Sequence, residues 1–326
     1  MLNRKDIGIT IAIFFLLFLV PASLAQELIW KPKAELPKPL RGTAIASNDG
    51  IYFMEANPRG SAVYEYDPMA DSWAKISQMI TWGWNVNLAY VDGLIYVIGG
   101  DPFRDRNEGY DPNSNTWRTL SPMPTARQHT NCCVVSGKIY VIGGLERGTL
   151  KDGDSWEDWA KKAKLSNHNE VYDPKTNSWE SKAPLPTPRQ GPGIGCINGK
   201  IFAIGGAISS AYDSPPSKIV EVYDIEKDLW ERISDFPIAI TVMGIATIDG
   251  RIFVIGGQTR NDKGEDIPIA HVYTYDLDND KWLRSTDLPN PIQVISAAVL
   301  DDRIYVIGGC DHRFKPLKQV WYTEVK

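Results

Sequence analysis

Polar and aromatic side chains recur at one spot in this 326-residue chain. Counting back nine residues from a series of turn glycines, and from Asp302, lands on Arg41, Trp84, Gln128, Gln190, Thr241 and Gln293. Trp82, Asn85, Arg127, His129 and Arg189 stand beside them. Arginine forks grip carboxylates through paired hydrogen bonds. Glutamine and asparagine both donate and accept, and indoles combine a broad apolar face with an N–H donor. Gathered round one mouth, such groups would suit a polar, hydrogen-bonding ligand. The candidate contacts are Arg41, Trp82, Trp84, Asn85, Gln128, Arg189, Gln190 and Gln293.

Metal and nucleophile chemistry find less support. The four histidines, His129, His168, His271 and His312, form no His-x-His or His-x-x-x-His pair, so no metal site is expected. There is no Gly-x-Ser-x-Gly elbow and no phosphate loop, so no cofactor is expected either. Cys132, Cys133 and Cys196 lie in apolar runs that suit buried free thiols, and the neighbours Cys132 and Cys133 could bridge only under strain. A net charge of −5 and the lack of a long Lys/Arg run argue against a nucleic-acid surface.

The elements that must carry these residues repeat. Trp73, Trp117, Trp179, Trp230 and Trp282 each precede a diglycine by 26 residues. After Trp30, the pair Glu55-Ala56 stands where a diglycine would be. Turn pairs such as Asp92-Gly93 and Asn198-Gly199 precede short apolar runs such as Ile95–Ile98, which read as buried strands after hairpin turns. A Tyr-Asp strand follows, and each Tyr lies seven residues before the next Trp. Each unit is thus a four-stranded antiparallel sheet that must pack on its neighbours, as in a β-propeller. Six second strands are present, while the last unit lacks a Trp-bearing fourth strand. Leu28-Ile29-Trp30-Lys31 is the spare strand expected to close the ring.

Residues 1–25 read as a signal peptide. Arg4 and Lys5 precede the apolar run Ile7–Val20, and Ser23-Leu24-Ala25 predicts cleavage after Ala25. The expected location is secreted or periplasmic, with no membrane span after cleavage.

Strand–Gly-Gly, then Tyr-Asp, then Trp, repeated over residues 26–326, resembles the kelch-repeat family. The resemblance implies a single all-β domain, a six-bladed propeller with strands a to d in each blade. From diglycine to Tyr the distance is 11 residues in the first two repeats, then 29, 18 and 19. The loop between strands b and c therefore varies most, and insertions on one face commonly mark a binding face. The longest insertion carries Trp156 and Trp159. The expected function is non-enzymatic binding of a protein segment or glycan on the face of the b–c and d–a loops. The resemblance also implies an alternative, a sialic-acid mutarotase, which needs an acid/base carboxylate beside an arginine in the mouth. Glu146, with Arg127 and His129, is the candidate set.

Overall fold

The computed structural model describes residues 27–57, 61–81, 83–100, 105–146, 162–210 and 214–325. The expected signal peptide, Trp82, Trp156 and Trp159 lie outside the described residues. Six four-stranded antiparallel sheets form the blades of a ring. In blade 3, strands a to d are Asn131–Val135, Lys138–Ile142, Asn169–Asp173 and Ser178–Lys182. The a strands of successive blades adjoin one another around the centre, and those of blades 1 and 6 meet too. Among the described residues, no helix is long and apolar enough to cross a membrane.

Blade 6 is assembled from both ends of the chain. Its a to c strands are Ser296–Leu300, Arg303–Ile307 and Val320–Glu324. Lys31–Pro32 supplies strand d, with Lys31 opposite Tyr322 and Pro32 opposite Trp321. Pairing thus starts three residues later than Leu28. Leu28 is instead buried, and its N–H donates to Thr286 Oγ1 at 3.0 Å.

The tryptophans peg each blade to the one before it. The indole N–H of Trp73 donates to Ala34 O (2.9 Å), Trp117 to Ser77 Oγ (3.2 Å), Trp179 to Ser121 O (2.8 Å) and Trp230 to Ala183 O (2.8 Å). Trp282 reaches Ser234 O at 3.4 Å. Trp30 makes the same bond to Thr286 O at 3.3 Å, across 256 residues. A buried indole N–H needs an acceptor, and the exit of the preceding d strand supplies it each time. The repeat tyrosines lie 4.7–5.1 Å from these indoles by ring centroid in blades 1–5. Thr323 takes the tyrosine's place in blade 6, opposite Ile304.

The a–b turns explain the glycines there. Asp92 and Gly93 both have positive φ (49° and 85°), the signature of a type I′ hairpin. In blade 6 the second turn residue is Asp302, with φ 55°.

Candidate functional site

The d–a segments enter the ring beside the b–c loops. In blades 4–6 one d–a residue exchanges two backbone hydrogen bonds with the residue after the diglycine. Gln190 pairs with Ala207 (3.0 and 2.8 Å), Thr241 with Gln258 (3.0 and 2.9 Å) and Gln293 with Cys310 (3.1 and 2.8 Å). In blade 3, Gln128 stands opposite Leu145. A rim of small ladders thus stiffens this face. Gln128 and Gln293 are 1% exposed, and the Gln190 and Gln293 amides donate to Ser209 O and Asp311 O, both at 2.8 Å. Gln128 and Gln293 are therefore buried in the rim rather than open to a ligand, while Gln190 is half-buried with its amide held by Ser209 O.

Arg127 and Arg189 do not face a ligand, as both are 0% exposed. Arg127 Nη2 lies 2.6 Å from Glu170 Oε2, and Nη1 donates to Gly143 O and His168 O at 3.0 Å each. Arg189 binds Glu221 and donates to Thr187 O (2.9 Å) and Ala203 O (2.8 Å). Burial pulls both guanidinium pKa values down, and the glutamates oppose that pull. Each arginine clamps its own c strand to its d–a segment. Where blade 5 has Ile240 instead, Tyr273 stands in the glutamate's place. In blades 3 to 5, charge and countercharge are thus present together or absent together.

The proposed acid/base trio does not converge. Glu146 faces Arg127 across a two-residue ladder, but its carboxylate lies 3.4 Å from His168 Nε2. His129 instead meets Asn85 at 3.4 Å, between blades 2 and 3. Part of the His129 surface is exposed, yet protein encloses the ring closely enough to disfavour its charge. Its pKa is pushed down to about 4 by burial. His129 and Asn85 share left-handed backbone (φ 50° each) with Gly191, Val242 and Val294 at the same blade position. That geometry links neighbours: Gly191 N–H donates to His129 O at 2.7 Å and Val294 N–H to Val242 O at 3.0 Å. β-Branched residues rarely adopt positive φ, so these inter-blade bonds offset a local strain.

Blade 1 departs from the pattern. Its hairpin turns at Asn48-Asp49, because Ser47 N–H bonds Gly50 O at 2.9 Å. Ser47 Oγ also accepts from the N–H groups of Asp49 and Gly50, at 3.3 Å each. Gly50 is therefore not the turn glycine's equivalent, and Arg41 aligns with Asn85 and His129 rather than with Gln128. Glu55 takes the place of the first diglycine residue, as the pairing of Ile51 with Tyr66 and of Ile95 with Tyr110 shows. At that place in blades 2–5, a Cβ would stand 2.4–3.1 Å from the next blade's d–a carbonyl. Blade 1 instead carries a side chain, 5% exposed, with Lys38 Nζ at 3.1 Å and Asn57 Nδ2 at 3.2 Å. The bond to Glu55 raises the Lys38 pKa. Beside this carboxylate lies a cleft of about 250 Å³, lined by Arg41, Glu55, Asn57, Trp84, Leu40 and Pro316. Arg41 also donates to Phe314 O. Of the expected ligand contacts, Arg41 and Trp84 meet here, and Asn85 adjoins them in the chain.

Among the described residues, no group of three His, Cys, Asp or Glu side chains is placed to hold a metal ion. The Kelch motif family matches residues 126–186, 188–237 and 243–289, which are blades 3 to 5 with their connections. The chain is a kelch-repeat propeller. Kelch-like protein 35 of Mus musculus is 27% identical over 152 residues, 47% of this chain and 24% of the relative. Beta-scruin of Limulus polyphemus is 29% identical over 133 residues, 40% of this chain and 14% of the relative. The matches thus span no more than about a quarter of these relatives' length. Among solved structures, that of YjhT superposes with a TM-score of 0.75 at 19% identity, covering 90% of this chain and 97% of the other. This likeness concerns the fold.

Within the kelch propeller, the blade 1 cleft had one sequence signal, the Glu55-Ala56 pair in place of a diglycine.

Proposed function

We propose that this kelch propeller is an exported, non-enzymatic binding protein that receives a protein segment on its b–c/d–a face. The carrying observation is the blade 1 cleft, where Glu55 breaks the diglycine pattern and Arg41 and Trp84 line an opening on that face. At about 250 Å³ it is smaller than the ~300–1,000 Å³ usual for small-molecule pockets. That size suits one anchoring side chain, and aromatic and arginine residues are enriched at interface anchors. Kelch-family propellers commonly scaffold proteins, which supports the same class. Export rests on the charged start and apolar run of residues 1–25. The test is partner capture from extracytoplasmic extracts by the parent, by Arg41→Ala/Trp84→Ala and by a variant altered on the opposite face. Loss only in the first variant supports the reading; equal capture by all three refutes it.

A glycan ligand or a sugar-epimerising activity is the second reading, favoured by one observation. The cleft sets a carboxylate, an arginine and an indole together, the groups that acid/base work on an acidic sugar requires. Glu55 replaces Glu146 as the candidate acid/base. NMR of anomer exchange in N-acetylneuraminic acid decides it: activity lost in Glu55→Gln supports the reading, and no activity in the parent ends it.

A further inference from the structure

Blade 2 breaks a pattern that blades 3 and 4 keep. In blade 3, Glu170 accepts from Thr125 Oγ1 at 2.8 Å and from Arg127 Nη2 at 2.6 Å. In blade 4, Glu221 accepts from Thr187 Oγ1 at 2.7 Å and from Arg189. Every oxygen of both carboxylates is thus engaged. Glu108 occupies this place in blade 2, opposite Val97 as Glu170 is opposite Val141. Thr81 keeps the threonine position, but Gly83 stands where the arginine would be. Arg106 enters from the residue just before the c strand Asn107–Asp111, and its Nε and Nη1 reach Gly99 O (3.2 Å) and Thr81 O (2.5 Å). Among the described residues Glu108 Oε2 has no donor, although the residue is only 5% exposed. Burying an unmatched carboxylate oxygen is costly. Asn107 Oδ1 is also bare, but so is Asn169 Oδ1 in blade 3, so Glu108 marks the difference.

Glu108 lines a cleft of about 220 Å³. Asp105 adds a second acid at its lining, Arg106 lines it too with Nε and Nη1 held by carbonyls, and Leu120 and Pro122 add apolar surface. We propose that this cleft receives an arginine side chain of a partner polypeptide, its guanidinium on Glu108 and its stem along Leu120 and Pro122. This rests on the reading of the b–c/d–a face as a protein-binding face. Arginine is favoured over lysine because its planar fork matches a carboxylate. Blades 3 and 4 use that same pairing internally.

The test uses the ¹⁵N-labelled full chain and three probes: N-acetylarginine N-methylamide, the neutral citrulline analogue, and agmatine. The capped arginine should shift the amides of Asn107 and Glu108 in a saturable way. The citrulline analogue, and Glu108→Gln with capped arginine, should bind about tenfold more weakly or less, as expected for one lost charge-assisted hydrogen bond. Glu108→Gln should melt no lower than the parent, because it removes an unmatched buried charge. No shift at these amides, equal binding of the neutral analogue, or a markedly lower melt of Glu108→Gln would overturn the proposal. Binding of agmatine with exclusion of the capped arginine would assign the cleft to free guanidino compounds and overturn the partner assignment. Blade 1 variants in the capture assay report on the protein-binding reading separately.

Discussion

Replacing Arg127 by Ile should be among the most damaging single changes in the propeller. The substitution leaves the Glu170 carboxylate, 1% exposed, with Thr125 alone. It also removes the donor shared by the Gly143 and His168 carbonyls. Breaking a buried ion pair by removing one partner costs about 3–5 kcal/mol. Blade 5 shows the apolar solution, with Ile240 and Tyr273 at the corresponding positions. Tyr273 there packs against Phe236 at a centroid distance of 5.0 Å. Met123 holds the equivalent place in blade 3, 3.5 Å from Arg127 Nη2, and a thioether accepts an aromatic neighbour well. The double variant Arg127→Ile/Glu170→Tyr should therefore return to within about 1–2 kcal/mol of the parent, since apolar replacement of a buried pair is often nearly neutral. Urea unfolding followed by tryptophan fluorescence measures this as midpoint shifts at constant slope. A loss below about 1 kcal/mol for the single variant, on the scale of surface changes, would refute the clamp. Additive losses in the double variant would refute the coupling.

Three further outcomes follow from particular contacts. Deleting residues 26–34 removes the Trp30 peg and the Lys31–Pro32 strand, so the melting temperature should fall steeply; an unchanged melt contradicts closure. Asp302→Gly relieves a non-glycine φ of 55° where the equivalent turns of blades 2–5 have glycine, and should stabilise by roughly 0.5 kcal/mol in urea titrations. His129 is neutral in the folded ring, with its pKa near 4 against an ordinary value near 6.5. The unfolded chain then binds more protons, so this group's contribution is fully present above pH ~6.5 and is lost as the pH falls toward 4. In His129→Asn, which keeps a residue tolerant of φ 50°, that part of the pH slope should disappear.

The sequence made the fold legible because propeller packing repeats. Each indole meets an acceptor at the exit of the preceding d strand, a carbonyl for all but Trp117, and each diglycine meets the same backbone, so spacing alone reveals the ring, including the closure through Trp30. The site was less legible because it depends on which strand delivers a side chain. Arg127 read as part of an acid/base set and Arg189 as a ligand contact, yet their partners Glu170 and Glu221 lie in the c strands, 43 and 32 residues away. Arg41 was displaced by one position because Ser47 changes the local turn. Glu108 keeps the place of Glu170 but loses its arginine to Gly83, a glycine that signals nothing by itself.

We propose that a protein partner binds the b–c/d–a face around the clefts of blades 1 and 2. Hydrogen exchange of the propeller with and without its captured partner tests it most directly. Protection concentrated at residues 39–41, 55–57, 84–85 and 105–108 is the predicted result. Protection confined to the a–b and c–d turns on the opposite face, such as 136–137 and 174–177, would contradict it.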